Sequence, residues 1–165
     1  AERQIIAKQH KPLRASAQCE VHRGQRPPPE GPSEERAQVM ASFRPNVSTA
    51  RAAQRALDVR REKPPSQRGM TAVGVARARD LANRRPVSLD TAKHMLSFLS
   101  RHLVDKQGST WSEQGKGWQA WHGWGGDAGG RWAMSVVRSE DPAWFDRWRR
   151  KARNTALMRH LRRER

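Results

Sequence analysis

Three histidines and two aspartates are the side chains in the middle of this 165-residue chain that could support metal binding or acid–base chemistry. His94 and His102 are separated by about two turns of one predicted helix, so they lie too far apart to bind one metal ion from adjacent turns. Asp105 and Asp127 could complete a site only if the tertiary fold brought them together with a histidine. We therefore expect structural histidines, bonded to backbone or carboxylate groups, with no metal site and no cofactor.

The sequence carries no motif typical of an enzyme. It lacks a P-loop, a nucleophile elbow, a paired-carboxylate motif and a zinc-ligand spacing. Its one cysteine, Cys19, excludes an intrachain disulfide framework and a cysteine-based metal site. The sequence thus predicts a protein that is not an enzyme and has no catalytic residues.

Basic side chains give the strongest functional signal. The chain has 33 Lys and Arg against 16 Asp and Glu, a formal net charge of +17. Arginine outnumbers lysine, and its planar fork matches phosphate oxygens better than a point charge does. We therefore expect a nucleic-acid partner, DNA bound without sequence specificity. The predicted nucleic-acid-binding residues are Arg84, Arg85, Arg147, Arg149, Arg150, Lys151, Arg153, Arg159, Arg162 and Arg163.

Tryptophans are crowded among glycines in the segment GWQAWHGWGGDAGGRWA, residues 117–133. Such rings could form a platform on which bases stack, or they could fill a core that is short of aliphatic residues. We favour the core, because the helix predicted from Ser88 has a wide apolar face that must pack against something. Trp111, in a polar context, is the ring most expected to be exposed. The predicted core residues are Leu96, Leu99, Leu103, Trp118, Trp121, Trp124 and Trp132.

Helical periodicity and capping residues predict an all-α fold that consists of a small helical domain with a Trp-rich loop. In the first half of the chain, helices are predicted from Ser33 to Phe43, from Ser48 to Lys63 and from Thr71 to Arg84. In the second half, a strong helix runs from Ser88 to Lys106 with Gly108 as a left-handed cap, and another is capped by Asp127. A last, Arg-rich helix starts at Asp141-Pro142 and continues to about Arg163.

Composition divides the chain into three parts. Residues 1–66 are predicted to be an extended, Pro-rich basic arm with two short helices. The first 32 residues have many prolines and no sustained apolar period, which predicts an extended segment. Residues 67–140 are the small helical domain, and residues 141–165 are the basic C-terminal helix. No apolar run approaches the length that spans a bilayer, so no membrane partner is expected.

Several short motifs in the sequence resemble those of a family of uncharacterised proteins from tailed bacteriophages and prophages. They are RARDLANR, SLDTAKHM, FLSRH and GWQAWHGWGGDAG, all within residues 63–132, a little under half of the chain. The resemblance implies a phage-encoded protein associated with head or virion genes. It implies no activity, and neither the Pro-rich arm nor the Arg-rich C-terminal helix is part of it.

Together these observations predict a non-enzymatic structural component of a tailed-phage virion. It would be head or head-associated, assemble in the host cytoplasm, dock on other virion proteins through its arm and contact DNA through its basic helix. Two alternatives stay open: a ribosomal or other ribonucleoprotein component, and a phage regulatory protein that binds DNA.

Overall fold

Helices make up most of the structure, a computed structural model that describes residues 42–163. The all-α class predicted from the sequence is confirmed. The strands in this part of the chain are a two-residue antiparallel pair, in which Ser42 lies opposite Ser88 and Phe43 opposite Val87. In chain order the elements are β1 (Ser42–Phe43), α1 (Val47–Glu62), a 3-10 helix (Pro65–Gln67), α2 (Ala72–Ala82), β2 (Val87–Ser88), α3 (Leu89–His102), a second 3-10 helix (Leu103–Gln107), α4 (Lys116–Gly123), α5 (Gly126–Glu140), α6 (Pro142–Arg149) and α7 (Ala152–Arg163).

The first predicted helix, from Ser33, lies mostly outside the described residues. Its last two residues, Ser42 and Phe43, form β1 instead, so this end of the prediction was wrong. Pairing with β2 accounts for the difference, because the backbone groups of both residues are used in an antiparallel ladder.

Side-chain caps begin most of the helices. Ser88 accepts from the backbone N–H of Thr91, and Asp141 accepts from that of Trp144, as predicted. Helix α1 begins earlier than expected, because Asn46 and not Ser48 is its N-cap. Asn46 Oδ1 accepts from the N–H of Thr49 at 2.8 Å, and so takes the capping role expected of Ser48, two residues later.

The strongest predicted helix is shorter than its apolar pattern. Helix α3 ends at His102, and the chain tightens into the 3-10 helix Leu103–Gln107. Gly108 closes that turn with an N–H bond to the carbonyl of Asp105, at φ −67°. The predicted left-handed cap at Gly108 was therefore wrong, since a 3-10 ending requires no positive φ.

The Trp-rich segment is helical and not a loop, which corrects the prediction. Helices α4 and α5 are joined at Trp124 and Gly125, and Gly125 adopts φ +90°. Gly125 is the N-cap of α5, so Asp127 is not the cap that the sequence suggested. A Cβ on Gly125 would lie 2.7 Å from Thr49 Cγ2 and 2.9 Å from the Cα of Gly129. Both the sharp turn and the tight packing therefore require glycine here.

The basic C-terminal segment consists of two helices where one was predicted. Helix α6 ends at Arg149 and α7 begins at Ala152. Asn154 Nδ2 donates to the carbonyl of Trp148 at 2.6 Å, and Thr155 Oγ1 donates to that of Arg149 at 2.9 Å. These side chains take over carbonyls that a continuous helix would have bonded, which explains a break without proline or glycine.

The core surrounds α3, which packs against α4, α5 and α7. Leu96, Leu99 and Trp121 are fully buried, and Leu103 is half-buried at the edge. A smaller cluster joins Trp118 to Ala56 and Val59 of α1. Trp124 and Trp132 also lie in the main cluster, so the tryptophans predicted as core do pack inside. Trp111, expected to be exposed, is half-buried against both clusters.

The described residues belong to one compact unit. Helix α1, assigned from sequence to the arm, packs against α2, α4 and α5. The C-terminal segment buries Phe145, Trp148, Leu157 and Leu161 in the main cluster. The boundaries expected after residues 66 and 140 therefore do not divide this unit. The rest of the predicted arm, residues 1–41, lies outside the described residues.

A buried amide fastens the loop before α2 to α4. Gln119, which is fully buried, accepts from the N–H of Gly69 at 2.7 Å. Its amide nitrogen, Nε2, donates to the carbonyls of Gln67 and Gln114 at 3.1 and 3.0 Å. Every polar atom of this side chain is therefore bonded, as a buried amide requires.

Replacement of Gly125 by alanine tests the turn between α4 and α5. We expect Gly125→Ala to lower the free energy of unfolding by about 1–3 kcal/mol, because it combines a positive φ with two contacts under 3.0 Å. Urea unfolding monitored by circular dichroism measures the change. Ser139→Ala, on the exposed side of α5, is the control and should stay within about 0.5 kcal/mol. Equal stability of the two variants would contradict this role for Gly125.

Candidate nucleic-acid interface

Eight basic side chains of the C-terminal helices form what we call the basic C-terminal surface. All of them are exposed, and residues 147–163 contain no acidic residue. Among the described residues, the one salt bridge that this set makes is between Arg149 Nε and Asp146 Oδ1, at 2.7 Å. The members are Arg147, Arg149, Arg150, Lys151, Arg153, Arg159, Arg162 and Arg163.

Apolar residues on the opposite sides of α6 and α7 hold this surface in place. Phe145 and Trp148 anchor α6, while Leu157 and Leu161 anchor α7, and all four belong to the main core cluster. Leu161 reaches α5 beside Gly130, where a Cβ would lie only 2.9 Å from its Cδ1. The cations are therefore presented by helices fixed to the core.

The two predicted nucleic-acid-binding residues outside this surface have partners within the fold. Arg84, at the end of α2, is half-buried with φ 51°, and its Nε donates to the carbonyl of Pro45 at 2.9 Å. Arg85 is exposed and lies 3.5 Å from Asp80 Oδ1. Arg84 thus links the segment before α1 to α2, a role that the sequence did not suggest, and nucleic-acid binding by either residue stays a prediction.

A charged network, which we call the Asp127 network, ties α7 to the start of α5. Asp127 Oδ1 lies 2.9 Å from His160 Nε2, and its Oδ2 lies 3.0 Å from Lys106 Nζ. Lys106 Nζ also lies over the rings of Trp111 and Trp121, at 5.6 and 5.0 Å. These contacts connect three distant parts of the sequence and fix the orientation of the basic helix.

The carboxylate is the common acceptor in this network. Lys106 Nζ and His160 Nε2 lie 2.9 Å apart, but His160 Nε2 can bond Asp127 only when it carries a proton. Burial favours a higher pKa for Asp127, but the hydrogen bonds from His160 and Lys106 outweigh it and hold the pKa below its usual value. Asp127 is therefore ionised at neutral pH and compensates part of the local positive charge.

The three other histidines that the structure describes contact backbone, carboxylate or aromatic groups. His122 Nδ1 lies 2.9 Å from the carbonyl of Trp118, and burial lowers its pKa. His102 Nδ1 lies 3.0 Å from Asp105 Oδ2, whereas His94 is exposed with its ring 5.4 Å from that of Trp124. Within residues 42–163, no group of three His, Cys, Asp or Glu side chains is arranged to hold a metal ion.

Sequence reasoning missed a pocket where α3, α6 and α7 meet, which we call the Trp148 pocket. Its volume is about 410 Å³. The missed members are Ser97, Ser100, Arg101 and Asn154, which join three cations of the basic C-terminal surface. Three of the lining residues, Ser97, Ser100 and Arg101, lie on α3, which was predicted as the core helix. No sequence pattern linked them to residues of the C-terminal helices. The pocket is lined by Ser97, Ser100, Arg101, Trp144, Arg147, Trp148, Lys151, Arg153 and Asn154.

Comparison with protein-family models, curated proteins and solved structures found no match to this chain. None of the helices in the described part of the chain is both long and apolar enough to cross a membrane.

The Asp127 network makes a testable contribution to stability. We expect Asp127→Asn to lower the free energy of unfolding at neutral pH by about 1–3 kcal/mol, since it leaves Lys106 and His160 without their anionic partner. Asp146→Asn, which breaks an exposed pair with Arg149, is the matched control and should cost under about 1 kcal/mol.

The pH dependence of the same variants supplies a second measurement. A lowered folded-state pKa means that the contribution of Asp127 is present above the unfolded-state pKa and is lost as pH falls through the folded-state pKa. The stability gap between the protein and Asp127→Asn should therefore narrow as the solution is acidified. A gap that stays constant to strongly acidic pH would contradict the assignment.

Proposed function

We propose that this protein is a non-enzymatic structural component of a tailed-phage virion that binds DNA without sequence specificity. The single observation that carries the DNA-binding part is the basic C-terminal surface: eight exposed cations, one salt bridge among the described residues, and no acid between residues 147 and 163. The virion part rests on the resemblance of residues 63–132 to phage and prophage proteins.

The buried apolar side chains of α6 and α7 support a functional interpretation of this charge. A row of cations on a helix is costly when the side chains repel one another at short range. Here α6 and α7 are held against the core by Phe145, Trp148, Leu157 and Leu161. The core thus offsets the repulsion and keeps the guanidinium groups available for phosphates.

Arginine chemistry and the exposed position favour backbone contacts over base reading. Phosphate contacts carry no sequence information, whereas base reading requires a polar helix face that enters a groove. In α6 and α7 the exposed side chains are mainly arginine, with few amides that could pair with base edges. We therefore propose affinity that depends on salt and hardly on sequence.

Salt dependence tests the mechanism. Binding of the full chain to a fluorescent 30-base-pair DNA should weaken steeply between 50 and 200 mM salt, with a logarithmic slope of about −0.9 per phosphate neutralised. The double variant Arg159→Gln/Arg163→Gln should make that slope less negative by about two units. The control Arg44→Gln/Arg51→Gln removes two exposed arginines from outside the surface and should leave the slope unchanged.

Several results would contradict parts of this proposal. Binding that persists unchanged in high salt, or equal losses for both double variants, would remove the basic C-terminal surface as the interface. Preferential binding of RNA in competition would support a ribonucleoprotein instead. Mass spectrometry of purified phage particles tests location, since a virion component should occur there at fixed stoichiometry.

A further inference from the structure

The Trp148 pocket collects positive charge in a concave site. Four of its lining residues are cations, namely Arg101 of α3, Arg147 of α6, Lys151 of the α6–α7 break and Arg153 of α7. None of its lining residues is acidic, and none of the four cations makes a salt bridge within residues 42–163. The nearby Asp141 is already bonded to Lys93 Nζ at 2.8 Å and does not line the pocket.

Two of the residues that line the pocket carry buried polar atoms without partners. Trp148 is 6% exposed and Asn154 is 2% exposed, and both line the pocket. Trp148 Nε1 and Asn154 Oδ1 have no hydrogen-bond partner in this part of the chain. The orientation of Asn154 is fixed, because its Nδ2 donates to the carbonyl of Trp148 at 2.6 Å. Both atoms have almost no accessible surface, so a ligand in the pocket contacts the exposed cations and not these two atoms.

The chemistry of the lining selects the ligand class. Three arginines and a lysine line a volume of about 410 Å³, with the hydroxyl of Ser97 beside them. The hydroxyl of Ser100 already donates to the carbonyl of Ser97 at 3.1 Å. A phosphate group presents several acceptor oxygens and carries negative charge, which suits guanidinium donors and hydroxyl donors together. A neutral or cationic ligand would leave the four charges uncompensated.

We propose that the Trp148 pocket is a discrete seat for one phosphate group of the nucleic-acid backbone. This rests on the proposed function and adds to it a specific anchor point within an otherwise diffuse basic surface. Arg101 is the residue that distinguishes the seat from that surface, because it comes from α3 and faces the C-terminal helices across the pocket. This anchor sets where the nucleic-acid backbone crosses the protein, while the remaining cations of the basic C-terminal surface supply affinity on either side of it.

Nuclear magnetic resonance of the full chain with nitrogen-15-labelled tryptophan tests the seat. Sodium pyrophosphate is the probe, titrated at constant ionic strength with sodium chloride as balance. The Trp148 indole N–H resonance should shift with saturation, and that of Trp132, buried outside the pocket, should not. Arg101→Gln/Arg153→Gln should weaken pyrophosphate binding at least tenfold, while the control Arg44→Gln/Arg51→Gln should change it by less than twofold.

The variants change exposed side chains, so an unaltered pattern of the other indole resonances verifies that the fold is kept. Shifts that fail to saturate, or equal loss in both double variants, would overturn the seat. A 12-nucleotide DNA that displaces pyrophosphate supports the backbone assignment. Saturable pyrophosphate binding without competition by DNA would overturn it in favour of a free phosphate-bearing ligand.

Failure of the seat and failure of the proposed function give different results. If the protein binds DNA with the expected salt slope but Arg101→Gln/Arg153→Gln shows no more loss than the control, only the seat is wrong. If pyrophosphate saturates the Trp148 pocket and DNA does not bind at low salt, the proposed function is wrong and the pocket is a site for a free phosphate-bearing ligand.

Discussion

The close approach of α5 to α3 and α7 is the constraint on which the rest of the structure depends. Gly130 allows it, because a Cβ there would lie 2.9 Å from Leu161 Cδ1 and 3.2 Å from Leu99 Cδ1. Without that approach, Leu161 would lose its place in the core, and Leu157 would be the buried apolar anchor that remains on α7. The glycines among the tryptophans are therefore spacing elements that let large rings and neighbouring helices share a small core. They also explain how a chain with only 35% hydrophobic residues can bury a continuous cluster.

Electrostatics and packing act in opposite directions in the C-terminal helices. Uniform positive charge disfavours folding α6 and α7 against a basic domain, and their apolar sides favour it. Asp127 is well placed to reduce the repulsion between these positive charges, since it accepts from Lys106 and from His160 in the last turn of α7. The carbonyl bonds of Asn154 and Thr155 then settle where the segment changes direction. The same residues thus fix the core and decide where the cations lie.

The sequence predicted the fold class and most of the core because both depend on local periodicity. The stripe of leucines in α3 and the caps at Ser88 and Asp141 act over three or four residues, and the structure contains them. The break after Arg149, the 3-10 end of α3 and the Asp127 network depend on contacts between distant segments. No spacing in the sequence reveals that Asp127 meets His160, or that Asn154 bonds a carbonyl six residues earlier. Arg101 shows the same limit for the interface, because only the packing of α3 against α6 and α7 brings it to the basic residues.

The interruption between α6 and α7 gives the basic segment a corner instead of a straight edge. A straight helix would display its charges along one line, whereas here cations from both sides of the corner line a shared hollow. A stiff, linear polyelectrolyte can follow only one arm of such a corner without bending, and bending duplex DNA over a short distance costs elastic energy. For the proposed nucleic-acid partner, this geometry would favour a chain that is already curved or that can bend at a single linkage. The stiffness of the polymer, as well as its charge, would then determine how well it fits.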